Sequence, residues 1–229
     1  MHHPATLTMP TRPTSGLLAV DVIAPIRAIA QALAAAPPEQ DMLSGIHNPF
    51  GHHACMADAW SFLDIAENPD LLDCVAAAIG PDIVLWDSEL YLDAGALPQD
   101  EARCWPVAPL AGAIAAVSLD QGAIDVVDIG AWHAGEFAGR PGSHFVVRYM
   151  PGSSLFVRDP TFAANRCAAE LRPLVNYAKR PLWLVRGEDR AGNDFATGFM
   201  VPAGRWTDRA QMNFNDAKEK RHGATEFGA

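Results

Sequence analysis

Asp100 and Glu101 stand side by side in the middle of the chain, and two adjacent carboxylates can serve as a general acid and base. At the mouth of a pocket, burial and like charge would raise the pKa of one of them. The plainer reading is a pair of solvated loop acids. His52 and His53, with His47 nearby, offer nitrogen donors to a metal. Neighbouring histidines on a loop point apart, however, so they chelate poorly without further ligands. Trp86, Tyr91, Trp105, Trp132 and Trp183 form a dense aromatic set on or beside strand-like segments. Such residues either fill a core or line a mostly apolar ligand pocket. The sequence contains no Gly-rich phosphate loop, no GxSxG elbow and no Cys/His pair at catalytic spacing.

The elements that would carry these residues fall into two textures. Helical periodicity runs over Val20–Ala36, stopped by Pro37-Pro38, with Pro25 comfortable only in the first turn. A His/Gly/Asn/Pro loop (Ser44–His53) precedes a second helix over Met56–Ile65. A third helix is capped by Asn68, has Pro69 at its first position and stops at Gly80-Pro81. Short β-like runs follow at Ile83–Leu92, Ala111–Leu119, Ala123–Ile129, His144–Tyr149, Ser153–Val157 and Pro181–Arg186, separated mostly by Gly and Pro. Helices first and strands after predict an α+β, mainly β domain with helices outside a sandwich or jelly roll.

Length and composition agree with one domain. The 229 residues are 49% hydrophobic, enough for one sizeable core. The expected boundaries are a disordered tail over 1–15, a single domain over 16–206 and a flexible tail over 207–229. Within the domain, a helical layer spans 20–80 and a β-barrel 83–186. A net charge of −10 argues against nucleic acid and anionic membrane as partners. No apolar run reaches 18 residues, and residues 1–15 lack the pattern of a secretory signal. The four cysteines have no CxxC spacing, which fits free thiols in a cytoplasmic protein.

The block from Asn48 to Arg186 resembles the phytanoyl-CoA dioxygenase family of Fe(II)/2-oxoglutarate oxygenases. The resemblance is carried by Asn48-Pro49-Phe50, NPDLLDCVAAAIGPDIVLWDSELYL (68–92), QDEARCWPVAP (99–109), AAVSLD with Gly122-Ala123-Ile124, GAWH (130–133), MPGSSLFVRDP (150–160) and KRPLWLV (179–185). It implies a double-stranded β-helix, a cupin-like barrel whose centre holds iron through two His and one carboxylate. In this chain, alignment on Trp105-Pro106 puts Gln99 and Glu101 where the family has His-x-Asp; a one-residue slide puts Pro98 and Asp100 there. The second family histidine falls at Ala164, with Ala163 and Asn165 beside it. Arg180 matches the family arginine that pairs with the distal carboxylate of 2-oxoglutarate, and Arg suits such bidentate binding. A solvent-facing arginine is the alternative. His133 matches a usually structural family histidine that could instead contact substrate. His144 reads as a turn residue. A rebuilt metal site from Asp100, Glu101, His133 and His144 is conceivable.

The expectation is therefore an iron-independent relative with no cofactor, binding a small organic molecule. Gln99, Asp100 and Glu101 would be its catalytic groups; Arg180, Trp105, His133, Trp86 and Tyr91 would contact the ligand. The reaction would be redox-neutral: isomerisation, cyclisation, elimination or hydrolysis in small-molecule or secondary metabolism. Alternatives are an active Fe(II)/2-oxoglutarate hydroxylase with displaced ligands, or a non-catalytic binding protein.

Overall fold

The computed structural model describes residues 14–36, 42–51, 58–92, 101–133, 136–137, 140–171 and 177–195. Three helices come early. Helix α1 (Val20–Ala34) buries Ile23, Ile26 and Ala30 along one stripe. It continues through Pro25, which lies past the first turn rather than within it. Helix α2 (Ala59–Ala66) starts at Asp58, whose side chain accepts from the Trp60 N–H. Helix α3 (Pro69–Ile79) is capped by Asn68, which accepts from the Asp70 N–H at 2.9 Å. It ends at Gly80, whose φ of +90° a side chain would resist.

The strands are β1 (Thr14–Leu17), β2 (Met42–Ser44), β3 (Ile83–Tyr91), β4 (Val107–Ala108), β5 (Ala113–Ser118), β6 (Ala123–Asp128), β7 (His144–Pro151), β8 (Leu155–Phe156) and β9 (Trp183–Arg186). Seven form one antiparallel sheet in the order β1-β6-β5-β7-β3-β2, with β9 also paired to β3. A separate two-stranded ribbon joins β4 to β8. Among the described residues the large sheet is open, so the observed architecture is a mainly antiparallel sheet with four helices rather than a closed barrel. No described helix is long and apolar enough to cross a membrane.

Two apolar clusters lie on opposite faces of the sheet. On one face, α1, α2 and α3 pack their buried residues on Ile83, Leu85, Leu90, Ala115, Phe145 and Val147. The Tyr149 hydroxyl donates to the Ala66 carbonyl at 2.8 Å and ties β7 to α2. The other face gathers Val84, Trp86, Tyr91, Ile114, Ala116, Val146 and Met150 under Trp105, Val107, Phe156 and Leu182. Strand β3 is buried along its whole length because both of its faces are covered.

Several expectations need correcting. Thr14 and Ser15, expected within a tail, belong to β1, where they pair with Val126 and Asp125. Strand β2 was not anticipated. The segment around Ala164, where the second family histidine would fall, is a helix that was not anticipated, α4 (Ala163–Leu171), with Ala164 and Asn165 buried. The last strand starts at Trp183, which leaves Arg180 outside it, after the 3-10 turn Tyr177–Lys179. The remaining strands run within a few residues of their expected limits, and that over Ser153–Val157 shrinks to two residues.

Candidate functional site

Strand β3 carries two acids, Asp87 and Glu89, at positions fully shielded from solvent. A charge there is costly unless paired. The pairing is made possible by an irregularity. The β3–β7 register shifts between Leu85 and Asp87, leaving Trp86 as an extra residue. Strict alternation would have sent Trp86 and Asp87 to opposite faces. With the bulge, Asp87, Glu89 and Tyr91 follow Trp86 onto the face away from α1, α2 and α3, the inner face.

Arg148 meets them from β7. It lies between Val146 and Met150, both on that face, and is 1% exposed. Its Nη2 donates to Glu89 Oε2 at 2.7 Å and its Nη1 reaches Asp87 Oδ2 at 3.4 Å. The Tyr91 hydroxyl also donates to Glu89 Oε2. Arg180 completes the set, with its Nη1 3.3 Å from Asp87 Oδ1 and its Nη2 donating to the Ser44 hydroxyl. Two carboxylates and two guanidiniums thus balance in charge within one buried network.

Arg180 occupies a definite place in the sheet. Strand β2 pairs with Glu89–Tyr91 and β9 with Ile83–Leu85, so the edge of β3 at Trp86–Ser88 is covered by neither. The guanidinium fills that notch above Gly45, whose φ of +69° turns the chain away; a Cβ there would overlap Arg180 Nη1. On the helix side of the same notch lies His47, fully buried. Its Nδ1 is 2.6 Å from the Ser88 hydroxyl, its ring meets Trp183 edge-on at 6.1 Å, and its Nε2 has no hydrogen-bond partner among the described residues. Burial, and then the charge of Arg180, lowers its pKa to about 3, so the imidazole is neutral at physiological pH.

The anticipated site residues divide. Arg180, Trp86, Tyr91 and Trp105 converge on the inner face. Trp105 packs edge-on against Trp86 at 4.9 Å and anchors its indole N–H on the Ala111 carbonyl at 3.1 Å. Arg180 does meet a carboxylate, but it is the chain's own Asp87. Trp183 belongs to the helix-side cluster. Trp132 stacks edge-on with Phe137 at 5.4 Å. His133 is exposed just beyond the short 3-10 helix Ile129–Ala131. His144 is buried at the head of β7, with Nδ1 3.1 Å from the Gly142 carbonyl, and burial is the main cause of its lowered pKa. Gln99, Asp100, His52 and His53 lie outside the described residues. Glu101 opens a 3-10 helix, Glu101–Cys104, immediately before Trp105. Asp87, Glu89, Arg148, Ser44 and Ser88 were missed from the sequence. The available signal was charge at the centre of apolar strands, in LWDSELY and FVVRYM.

No family model matches the chain, and no curated protein matches it. Solved structures with a similar course of chain include a non-heme monooxygenase, ThoJ, in complex with nickel, at 16% identity and a TM-score of 0.46 over 93% of this chain and 92% of that one. The apo form of ThoJ matches at 15% identity and a TM-score of 0.46, over the same shares of the two chains. CytC3 with Fe(II) and alpha-ketoglutarate matches at 14% identity and 0.45, covering 79% of this chain and 87% of that one. At identities and scores this low the chemistry has to be argued from this chain's own residues.

The described residues at the centre of the face away from α1–α3 do not form a ferrous-ion site. Ferrous oxygenase sites need two imidazoles and a carboxylate on one face of the metal. On the inner face Asp87 and Glu89 are already engaged by Arg148 and Arg180, whose positive charges would repel a dication. Of the buried imidazoles described, His47 lies on the helix side and is committed to Ser88, and His144, paired with Tyr91 at the head of β7, holds its Nδ1 against the Gly142 carbonyl. No group of three His, Cys, Asp or Glu side chains able to share a metal occurs among the described residues. The network suits other work: a phenol held on an arginine-neutralised carboxylate can store or pass a proton.

Proposed function

We propose that this chain is an iron-independent protein of the double-stranded β-helix class, related in descent to phytanoyl-CoA dioxygenases. It holds a small organic molecule against the inner face of the sheet and carries it through a redox-neutral step such as isomerisation, cyclisation, elimination or hydrolysis. One observation supports the reading above others: two arginines neutralise the acids at the centre of that face. Gln99, Asp100 and Glu101 would supply polar groups to the ligand. Tyr91, fixed by Glu89 and Arg148, would hold a proton at its phenolic oxygen. Arg180 would lend its guanidinium to an acidic ligand. Fixed donors of this kind act on developing charge without any metal.

The test is an anaerobic-to-aerobic turnover assay. The protein is supplied with Fe(II), ascorbate, 2-oxoglutarate and a panel of small organic acids, and succinate is measured beside isomeric or hydrolysed products. Conversion of a panel member without succinate supports the proposal. Succinate in proportion to added iron would replace it with an Fe(II)/2-oxoglutarate hydroxylase using ligands other than these.

A further inference from the structure

Cys104 and Cys167, 63 residues apart in sequence, bring their sulfurs to 3.3 Å. Cys104 closes the 3-10 helix Glu101–Cys104, Cys167 sits mid-way along α4, and both are partly exposed. The elements that carry them are pinned independently. Trp105, next to Cys104, is locked against Trp86 and onto the Ala111 carbonyl. Helix α4 is held at its start by Asn165, whose Nδ2 donates to the Val157 and Asp159 carbonyls, both at 2.8 Å. Helix α4 and the 3-10 helix pack directly on each other. A disulfide needs its sulfurs at about 2.05 Å, so the pair lacks little more than 1 Å, a distance that side-chain rotation can close.

We propose that Cys104 and Cys167 form a redox-active dithiol that closes to an intrachain disulfide on reaction with a low-molecular-weight disulfide. One cysteine, as thiolate, attacks a sulfur of the reagent and expels the first small thiolate. The second cysteine, also deprotonated, then attacks the protein sulfur of the mixed disulfide and expels the other. Two cysteine thiols are oxidised, one reagent disulfide is reduced, and the two cysteine protons finish on the two small thiols. The bond ties the segment bearing Glu101 and Trp105 to α4, and so makes the rigidity of the inner face's border depend on redox state. This inference stands whether or not the proposed function holds, since it needs only the two sulfurs and their supports.

The experiment uses the full chain under native conditions. Reduced protein is titrated with oxidised glutathione, quenched with acid, and read by intact mass and by non-reducing peptide mapping. The expected product has lost two hydrogen atoms and carries a Cys104–Cys167 peptide pair. Its Tm should rise by roughly 5–10 °C, as closing a long loop predicts. The Cys167→Ser variant should instead stop at a glutathione adduct on Cys104. Cys74, on α3 beside Gly16 of β1, reports non-specific oxidation. A stable glutathione adduct on the wild-type pair, a bridge involving Cys55 or Cys74, or a Cys104–Cys167 bond that forms only in denaturant would each overturn the proposal.

Discussion

Arg148→Met asks how much the buried network matters. The arginine is 1% exposed and links Asp87 to Glu89 from across the β3–β7 pair. Methionine fills a similar volume, so little cavity is opened. What remains is two buried acids, one left with Tyr91 and the other with Arg180. Removing one partner of a buried ion pair costs about 3–5 kcal/mol, because the other charge stays desolvated and unpaired. For a chain of this size that corresponds to a Tm loss of roughly 6–20 °C. Urea unfolding followed by tryptophan fluorescence should show the midpoint falling at constant slope. The double variant Glu89→Gln/Arg148→Met should be less destabilised than the sum of its parts, by about 1–3 kcal/mol. A single-variant loss under about 1 kcal/mol, or additive effects, would refute the reasoning, since groups that share a desolvated bond cannot behave independently.

Three further outcomes follow from the same geometry. Gly45→Ala, at φ +69° and against the Arg180 guanidinium, should lower stability by about 2–3 kcal/mol through backbone strain and a displaced arginine, measured by chemical denaturation. His47 stays neutral in the folded chain down to pH about 3, whereas it protonates near 6.5 when unfolded. Unfolded chains therefore bind one more proton between these values, and stability falls as pH drops through the window, by about 1.4 kcal/mol per unit. His47→Gln should remove that component from a plot of unfolding free energy against pH, and an unchanged slope would contradict it. Asn193→Ala takes away the acceptor for the Phe156 N–H (2.7 Å) and the donor to the Ser154 carbonyl (3.0 Å). It should cost about 1–3 kcal/mol and speed amide exchange at Phe156.

What the sequence disclosed depended on how far apart the cooperating residues lie. The Asn68-Pro69 start and Gly80 stop of α3 were legible because capping is local. The bodies of β3, β5, β6 and β7 were legible because their apolar and β-branched runs are self-evident. Strand β1 was not: Thr14-Ser15-Gly16-Leu17 is polar and short, and becomes a strand only through β6. Helix α4 was locally readable, for AANRCAAEL favours a helix. The sequence reading took that segment only as the place of the second family histidine and assigned it no element. The network at the centre was hidden for a different reason. Arg148 comes from 61 residues beyond Asp87, and the bulge at Trp86 decides which face the acids reach; neither is written in local spacing. Arg180 was singled out as the binder of a ligand's carboxylate, and the carboxylate it meets in the structure is the chain's own Asp87.

The most direct test of the central claim is a titration of the purified, metal-stripped chain with Mn(II), a spectroscopic stand-in for Fe(II), followed by electron paramagnetic resonance with and without 2-oxoglutarate. Arginine-satisfied acids predict a spectrum of free aqueous Mn(II) at every ratio, unaltered by 2-oxoglutarate. One tightly held Mn(II) per chain, with a signal that changes when 2-oxoglutarate is added, would contradict the account.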